Sequence, residues 1–237
     1  AQALAAKLRH SAVTVLNNYF GILPLAPVDG GIALLSVGEK EQDTAFVEAV
    51  KKQAGVSCFY LPWNADEATR EDVKRKLATY RRVIISITGS SYVSDRDVAF
   101  LANLDLQAPL VYTFFTSYRT LQPLVPALAK SSAVVLAHSD EADLQQYVAD
   151  VLFAKVPANG KISMSIGKLF PAGTGCTIEP GMKSGAAIPE DYGMKSYVLQ
   201  SVDAVAQKGL AAGAYPGCRI MILKDGQTIY DKGFGIH

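Results

Sequence analysis

Ser165-Ile-Gly-Lys168 places a hydroxyl three residues ahead of an amine. In that spacing a lysine can activate a serine nucleophile for acyl transfer. The chemistry needs both side chains at the start of a buried helix. Here Ser165 closes an apolar run, and Gly167, Pro171 and Gly173 oppose a helix, so the spacing reads as a chance match. Paired carboxylates are a second possibility. Asp66-Glu67, Glu71-Asp72, Asp95 with Asp97, and Asp140-Glu141 with Asp143 could supply an acid and a base across a glycosidic bond. Most of them stand where helices should begin, and capping and the helix dipole already account for acidic residues there. Asp95 and Asp97 are the stronger candidates, because they follow the loop of residues 89–94. His10 and His138 have no nearby Cys, no Asp-His spacing and no second His of the kind that a metal site or catalytic triad requires.

Recognition chemistry is better represented. Trp63, Asn64, Ser90, Ser91, Tyr92, Ser117, Tyr118 and Arg119 all fall in short segments that follow apolar runs. Aromatic faces flanked by hydroxyls and amides suit a sugar ring, which has an apolar C–H face and a polar rim. Trp63, Ser90, Ser91, Tyr92 and Arg119 are therefore the candidate ligand-binding residues. Gly173-Thr-Gly175 lacks the spacing and the following helix of a phosphate-binding loop. No catalytic residue, metal site or cofactor is expected.

The elements that must position these residues alternate strictly. Apolar runs occur at 32–37, 56–61, 83–88, 110–115, 133–138 and 162–166. Most are continuously apolar or rich in β-branched and aromatic residues, as strands covered on both faces should be. Between them, Leu144, Tyr147, Val148, Val151 and Leu152 have the spacing of one buried helical stripe. Asp140, Asp66 and Thr44 (or Asp43) are the expected N-caps of three such helices. Pro123 and Pro126 interrupt a fourth. An opening helix is expected to carry Leu4, Leu8, Ala12, Val15 and Leu16. Strand and helix in alternation argue for a doubly wound three-layer α/β/α sandwich with a mostly parallel sheet of about six strands. In such a fold the carboxyl ends of the strands bind ligands, which puts Trp63, Tyr92, Tyr118, Arg119 and His138 on the working edge. Opposite loops such as Gly55 and residues 79–82 offer no comparable mix. Residues 168–193 turn to Gly, Pro and Ser and read as a linker. Residues 194–237 then form a helix and a β-hairpin turning at Asp225-Gly226, with Ile220, Ile222 and Ile229 expected to be exposed.

Bulk properties exclude some classes. A net charge of +1 without a basic stripe indicates no nucleic-acid partner. No apolar stretch approaches the length of a membrane span. Three cysteines, far apart, support neither a disulfide framework nor a zinc site, and Cys58, in an apolar run, is expected to be a buried thiol.

Two resemblances add to this reading. Ser11, Val13, Thr14, Val15, Leu16 and Asn17, then Leu23-Pro24-Leu25 before the first apolar run, resemble the start of the C-terminal α/β sandwich of bacterial family 3 glycoside hydrolases; residues 160–167 resemble its closing strand. Residues 194–237, with Asp225-Gly226 followed by Tyr230, Lys232, Phe234 and Gly235, resemble the opening of serine β-lactamase-like hydrolases, ahead of their Ser-x-x-Lys motif. The first resemblance implies that residues 1–167 are a non-catalytic accessory domain. A (β/α)8 barrel, absent from this chain, would supply the catalysis on terminal β-linked sugars, in particular β-N-acetylglucosaminides. The barrel, the rest of a β-lactamase-like domain and a carbohydrate substrate are the implied partners, and the parent would work in the periplasm or cell envelope. The chain itself is then expected to be an inactive piece of a larger protein. The alternative from another class is a stand-alone sugar- or small-ligand-binding α/β module without catalysis.

Overall fold

The computed structural model describes residues 2–38, 44–89 and 93–236. Its centre is a six-stranded sheet. Strands β2 (Ile32–Gly38), β3 (Val56–Pro62), β4 (Arg82–Thr88), β5 (Leu110–Phe115) and β6 (Ala133–Leu136) are parallel, in the spatial order β3-β2-β4-β5-β6. Strand β1 (Thr14–Asn18) adds to β6 antiparallel. The sheet is buried on both faces, which is why its strands read as continuous apolar runs.

Alternate residues feed two cores. Ala33, Leu35, Ile85, Tyr112 and Phe114 pack under helices α3 (Glu67–Leu77), α4 (Asp95–Ala102), α5 (Tyr118–Leu121) and α6 (Val125–Leu128). Leu34, Ile84, Val111 and Val135 pack under α2 (Ala45–Gln53) and α7 (Ala142–Leu152). Helices on both faces of one sheet make the expected three-layer sandwich. The connection leaving β2 runs over one face and the next ones over the other, so the chain reverses direction between β2 and β4. Pro123 falls in a 3-10 turn between α5 and α6, where the expected interruption occurs.

Local chemistry fixes the helix starts. Thr44 accepts the Val47 N–H and Asp66 accepts the Thr69 N–H at 2.7 Å, each stabilising its helix by about 1 kcal/mol. Asp140 does not cap α7; Glu141 holds that position without a side-chain bond. The Asp140 carboxylate instead accepts from Gln145 Nε2, leaving Gln145 Oε1 to take the Phe46 N–H at the start of α2.

Three further expectations are corrected. Helix α1 stops at Ala12, and Val15 and Leu16 belong to β1, so the sixth strand lies at 14–18 rather than at 162–166. The 162–166 segment is a bend: Ile162 and Ile166 point into the core, and the turn closes through paired Ile166–Phe170 backbone bonds. Leu4 and Leu8 are 63% and 61% exposed, so α1 does not bury the stripe read from its spacing. Cys58 is exposed, because β3 is the edge of the sheet.

Residues 168–193 are irregular but packed. Cys176 and Ile178 bridge to Val15 and Ala158, and Ile178 is fully buried. The strap leads into α8 (Ser196–Ala211) and the hairpin β7 (Gly217–Lys224)–β8 (Gln227–Gly235). Leu199, Ala206, Ile229, Tyr230 and Phe234 form a small third core there, joined by Phe20 from the turn after β1. Ile229 is thus buried and Ile220 and Ile222 partly so; the exposed apolar residues of this lobe are Val198, Val205, Met221, Leu223 and Ile236. Among the described residues, no helix is long and apolar enough to cross a membrane.

Candidate functional site

The carboxyl ends of β2 and β4 meet where the winding reverses, the position at which open α/β sheets accept ligands. Gly38 ends β2. A Cβ there would lie 2.5 Å from Thr88 Oγ1, so glycine at 38 leaves room for the Thr88 hydroxyl in its present position. Trp63, just past β3, ties the edge together. Its backbone N–H donates to the Gly38 carbonyl at 3.2 Å, and its indole N–H donates to the Thr88 carbonyl at 3.3 Å. The Tyr60 hydroxyl also donates to Gly38. Trp63 is half-buried.

Asn64 follows in a left-handed conformation, φ 58°. Its N–H is shared by both oxygens of Asp97, each at 3.2 Å. Asp97 also accepts from the Ser94 hydroxyl at 2.7 Å and from Arg70 at 2.6 Å. The side chains of Arg70 and Asp97 are only 4% and 5% exposed. A buried charge pair is tolerated when its remaining polar atoms are satisfied; here both Asp97 oxygens are engaged, while Arg70 Nε has no partner within the protein. Asp97 is therefore a clamp joining the β3–α3 loop to α4. A groove of about 460 Å³ runs beside it, between Arg70 and Lys74 of α3 and Arg96 and Phe100 of α4.

Of the five candidate ligand-binding residues, Trp63 is placed at the edge. Ser90, Ser91 and Tyr92 lie outside the described residues, as does the side chain of Arg119; the backbone of Tyr118 and Arg119 opens α5 at the same edge. His138 lies two residues past β6, with φ 74°. Partial burial pulls its imidazole below the ordinary value, and a hydrogen bond to the Ala12 carbonyl opposes that shift. It fastens the edge to α1.

The other candidate chemistry resolves into structure. Ser165 Oγ accepts the Ala172 N–H, and Lys168 is exposed on a tight turn rather than on a helix. Asp72 pairs with Arg75 and Lys76, and Asp143 with Arg9. His10 stacks on Tyr147 at 4.2 Å between ring centroids. No group of three or more His, Cys, Asp or Glu among the described residues is placed to hold a metal ion.

Sequence reasoning missed Arg70 and the amino edge. Arg70 sits among charged residues and reads as solvated; only the rule that a buried arginine needs a carboxylate partner could have paired it with Asp97, and burial is not visible locally. At the amino edge, Arg82 forks onto Asp191 of the strap through two bonds of 2.7 Å, and Arg81 reaches the same carboxylate at 3.2 Å. Gln107 and Lys195 add bonds between the strap and the α4–β5 loop. The C-terminal lobe is thereby moored at the edge opposite Trp63.

No protein-family model matches the sequence, and no curated protein sequence matches it. Solved structures do share the fold. A family 3 β-N-acetylglucosaminidase from Paenibacillus sp. str. FPU-7 is similar at 12% identity and a TM-score of 0.52, over 73% of this chain and 33% of that one. A β-glucosidase from Erythrobacter marinus is similar at 15% identity and a TM-score of 0.55, over 75% and 35%. A family 3 exo-β-xylosidase is similar at 12% identity and a TM-score of 0.52, over 72% and 26%. The chain thus spans about a quarter to a third of the length of these glycoside hydrolases, and what it shares with them at such identities is the architecture of a three-layer α/β sandwich.

Proposed function

We propose that this chain is the accessory sandwich domain of a glycoside hydrolase acting on terminal β-linked sugars, in particular β-N-acetylglucosaminides. In that reading a catalytic (β/α)8 barrel elsewhere in the parent carries the reaction. The sandwich buttresses the barrel and borders its cleft, and α8 with the β7–β8 hairpin begins a serine β-lactamase-like domain. The observation that carries the reading is the fold likeness to family 3 glycosidases over about three quarters of this chain and only a third or less of theirs. The geometry supports it further. The carboxyl edge is rigidly tied by Trp63, Gly38 and Thr88, while the C-terminal lobe is moored at the opposite edge, so a large domain can dock at the carboxyl edge without meeting the lobe. The parent is expected in the periplasm or cell envelope.

Two measurements test the proposal. The chain alone should hydrolyse neither aryl β-glycosides nor β-lactams; turnover of a chromogenic β-N-acetylglucosaminide that a point change in this chain abolishes would overturn it. In the full-length parent, Trp63→Ala or Tyr92→Ala should weaken substrate use or barrel docking by about 1 kcal/mol or more, from lost aromatic contact. Unchanged kinetics and unchanged thermal unfolding in both variants would reduce the edge to ordinary surface.

A further inference from the structure

A cavity of about 660 Å³ opens between the turn after β1 and the C-terminal lobe. It lies at the opposite end of the sheet from Trp63, and neither the carboxyl-edge chemistry nor the proposed barrel contact uses it. Its volume falls within the range of small-molecule sites, about 300–1,000 Å³, and clefts between packed units are where such sites concentrate.

The wall is divided by chemistry. Tyr19 and Phe20 form an aromatic side. Phe20 is held at φ 55°, a conformation that a bulky residue rarely adopts, and it projects toward Tyr230, with ring centroids 6.3 Å apart. Gln200, Asp203 and Gln207 of α8 and Lys232 of β8 form a polar side. Gln200 Nε2 is buried and makes no hydrogen bond within the protein. An unpaired buried donor costs about 1–3 kcal/mol, and rotation of this amide toward the cavity would let a ligand oxygen recover it.

Charge narrows the ligand class. Asp203 accepts from the Tyr230 hydroxyl and from Lys232. Asp231 is bound in a fork to Arg219 at 2.8 and 2.6 Å. The acidic and basic groups thus pair with one another, and among the described residues that line the cavity no unpaired cation is left for a phosphate or carboxylate. What remains is an aromatic platform facing amide donors and acceptors. This matches a pyranose ring, with its apolar face and its rim of hydroxyls.

We propose that this cavity is a binding site for a neutral saccharide, with Tyr19 and Phe20 stacking on the ring and Gln200, Gln207 and Asp203 bonding its hydroxyls. The inference does not rest on the proposed function. It concerns a different edge and is read out by binding to this chain alone.

The experiment is a titration of the isotope-labelled chain with chitobiose and, separately, with cellobiose, followed by NMR of the glutamine side-chain NH2 groups. Saturable shifts at Gln200 and Gln207 are expected with at least one of the two sugars. Gln200→Ala should weaken that binding by about tenfold, and the solvent-facing Gln207→Ala should weaken it while leaving the spectrum otherwise folded. Trp63→Ala should leave it unchanged. The proposal is overturned if neither sugar gives saturable shifts up to about 10 mM, if binding survives both glutamine variants intact, or if glucose 6-phosphate binds more tightly than the neutral sugars.

Discussion

Arg82 and Asp191 meet through two parallel hydrogen bonds of 2.7 Å, joining the first residue of a central strand to a strap more than a hundred residues later. Arg82 is 9% exposed at its side chain and Asp191 23%, so the fork is largely screened from water. A bidentate guanidinium–carboxylate pair sets position as well as energy. Here it fixes the strap that carries α8. Arg82→Ala should therefore destabilise the chain by about 2–3 kcal/mol, since it leaves Asp191 with only the half-exposed Arg81. Arg82→Lys should recover little of this, because an ammonium cannot reproduce the fork. Urea unfolding with an unchanged slope would report it. A change under 0.5 kcal/mol, the usual size for surface substitutions, would make the pair incidental.

The Arg70–Asp97 pair predicts a spectroscopic outcome. Trp63 is the only tryptophan in the chain, and the next residue, Asn64, hangs from the Asp97 carboxylate. Removing that carboxylate strands a buried guanidinium and frees the Asn64 backbone. Asp97→Ala should cost about 3–5 kcal/mol and shift the Trp63 emission to the red as the indole gains water. Asp95→Ala, at an exposed position of the same helix turn, should do neither. Equal effects from the two substitutions would mean that helix capping, rather than the clamp, holds the edge.

The legible part of this molecule was its local and periodic part. Val83–Thr88 and Leu110–Phe115 declare themselves as strands because both of their faces are buried. Thr44 and Asp66 declare helix starts because a cap acts within three residues. Strand β1 was not legible: Thr14–Asn18 continues an apolar helical spacing, and only its pairing with β6, more than a hundred residues away, makes it a strand. The strap reads as a linker because Gly and Pro dominate it. Yet Ile178 and Ile188 are buried, and Glu190 and Asp191 hold it down. At the carboxyl edge the position of Trp63 was legible from the strand that precedes it. The saturation of Asp97 was not, because it depends on Arg70 of another helix turning inward.

Glu190 gives the lobe a pH dependence. Burial raises its carboxyl above the ordinary value of 4.5, while the Ser196 N–H and hydroxyl, at 2.7 and 2.8 Å, favour the charged form and oppose the shift without cancelling it. The folded state thus holds this proton more tightly than the unfolded state does. The associated stability is fully present below pH 4.5 and is lost as pH rises through the raised folded value. Glu190→Gln cannot titrate, so the stability of the wild type relative to this variant should fall as pH climbs from 4.5 through that window. Parallel urea midpoints for the two proteins across the range would contradict the assignment.

The last prediction concerns how far the lobe and the sandwich depend on each other. The sheet's two cores draw on residues up to Ile188, whereas the third core is built mainly from α8 and the hairpin, with Ala187 and Tyr192 of the strap, Met194, and Phe20 from before β2 packed against it. A two-stranded hairpin is marginal by itself in water, so the lobe depends on α8 and on its mooring. The sandwich is expected to fold without the lobe, because Arg82 holds its strap upstream of Met194, although the buried Glu190 then loses its Ser196 partners. Deleting residues 194–237 should leave a single cooperative unfolding transition for the sandwich, with a smaller urea slope because less surface is exposed on unfolding. It should also remove the apolar surface of Val205, Leu223 and Ile236, which are 70%, 60% and 83% exposed, and with it any concentration-dependent self-association. Sedimentation of the two forms over a range of concentrations, together with their unfolding curves, checks both halves. If the shortened chain does not fold, the lobe is part of the sandwich's own core, and the division between residues 168 and 193 does not exist.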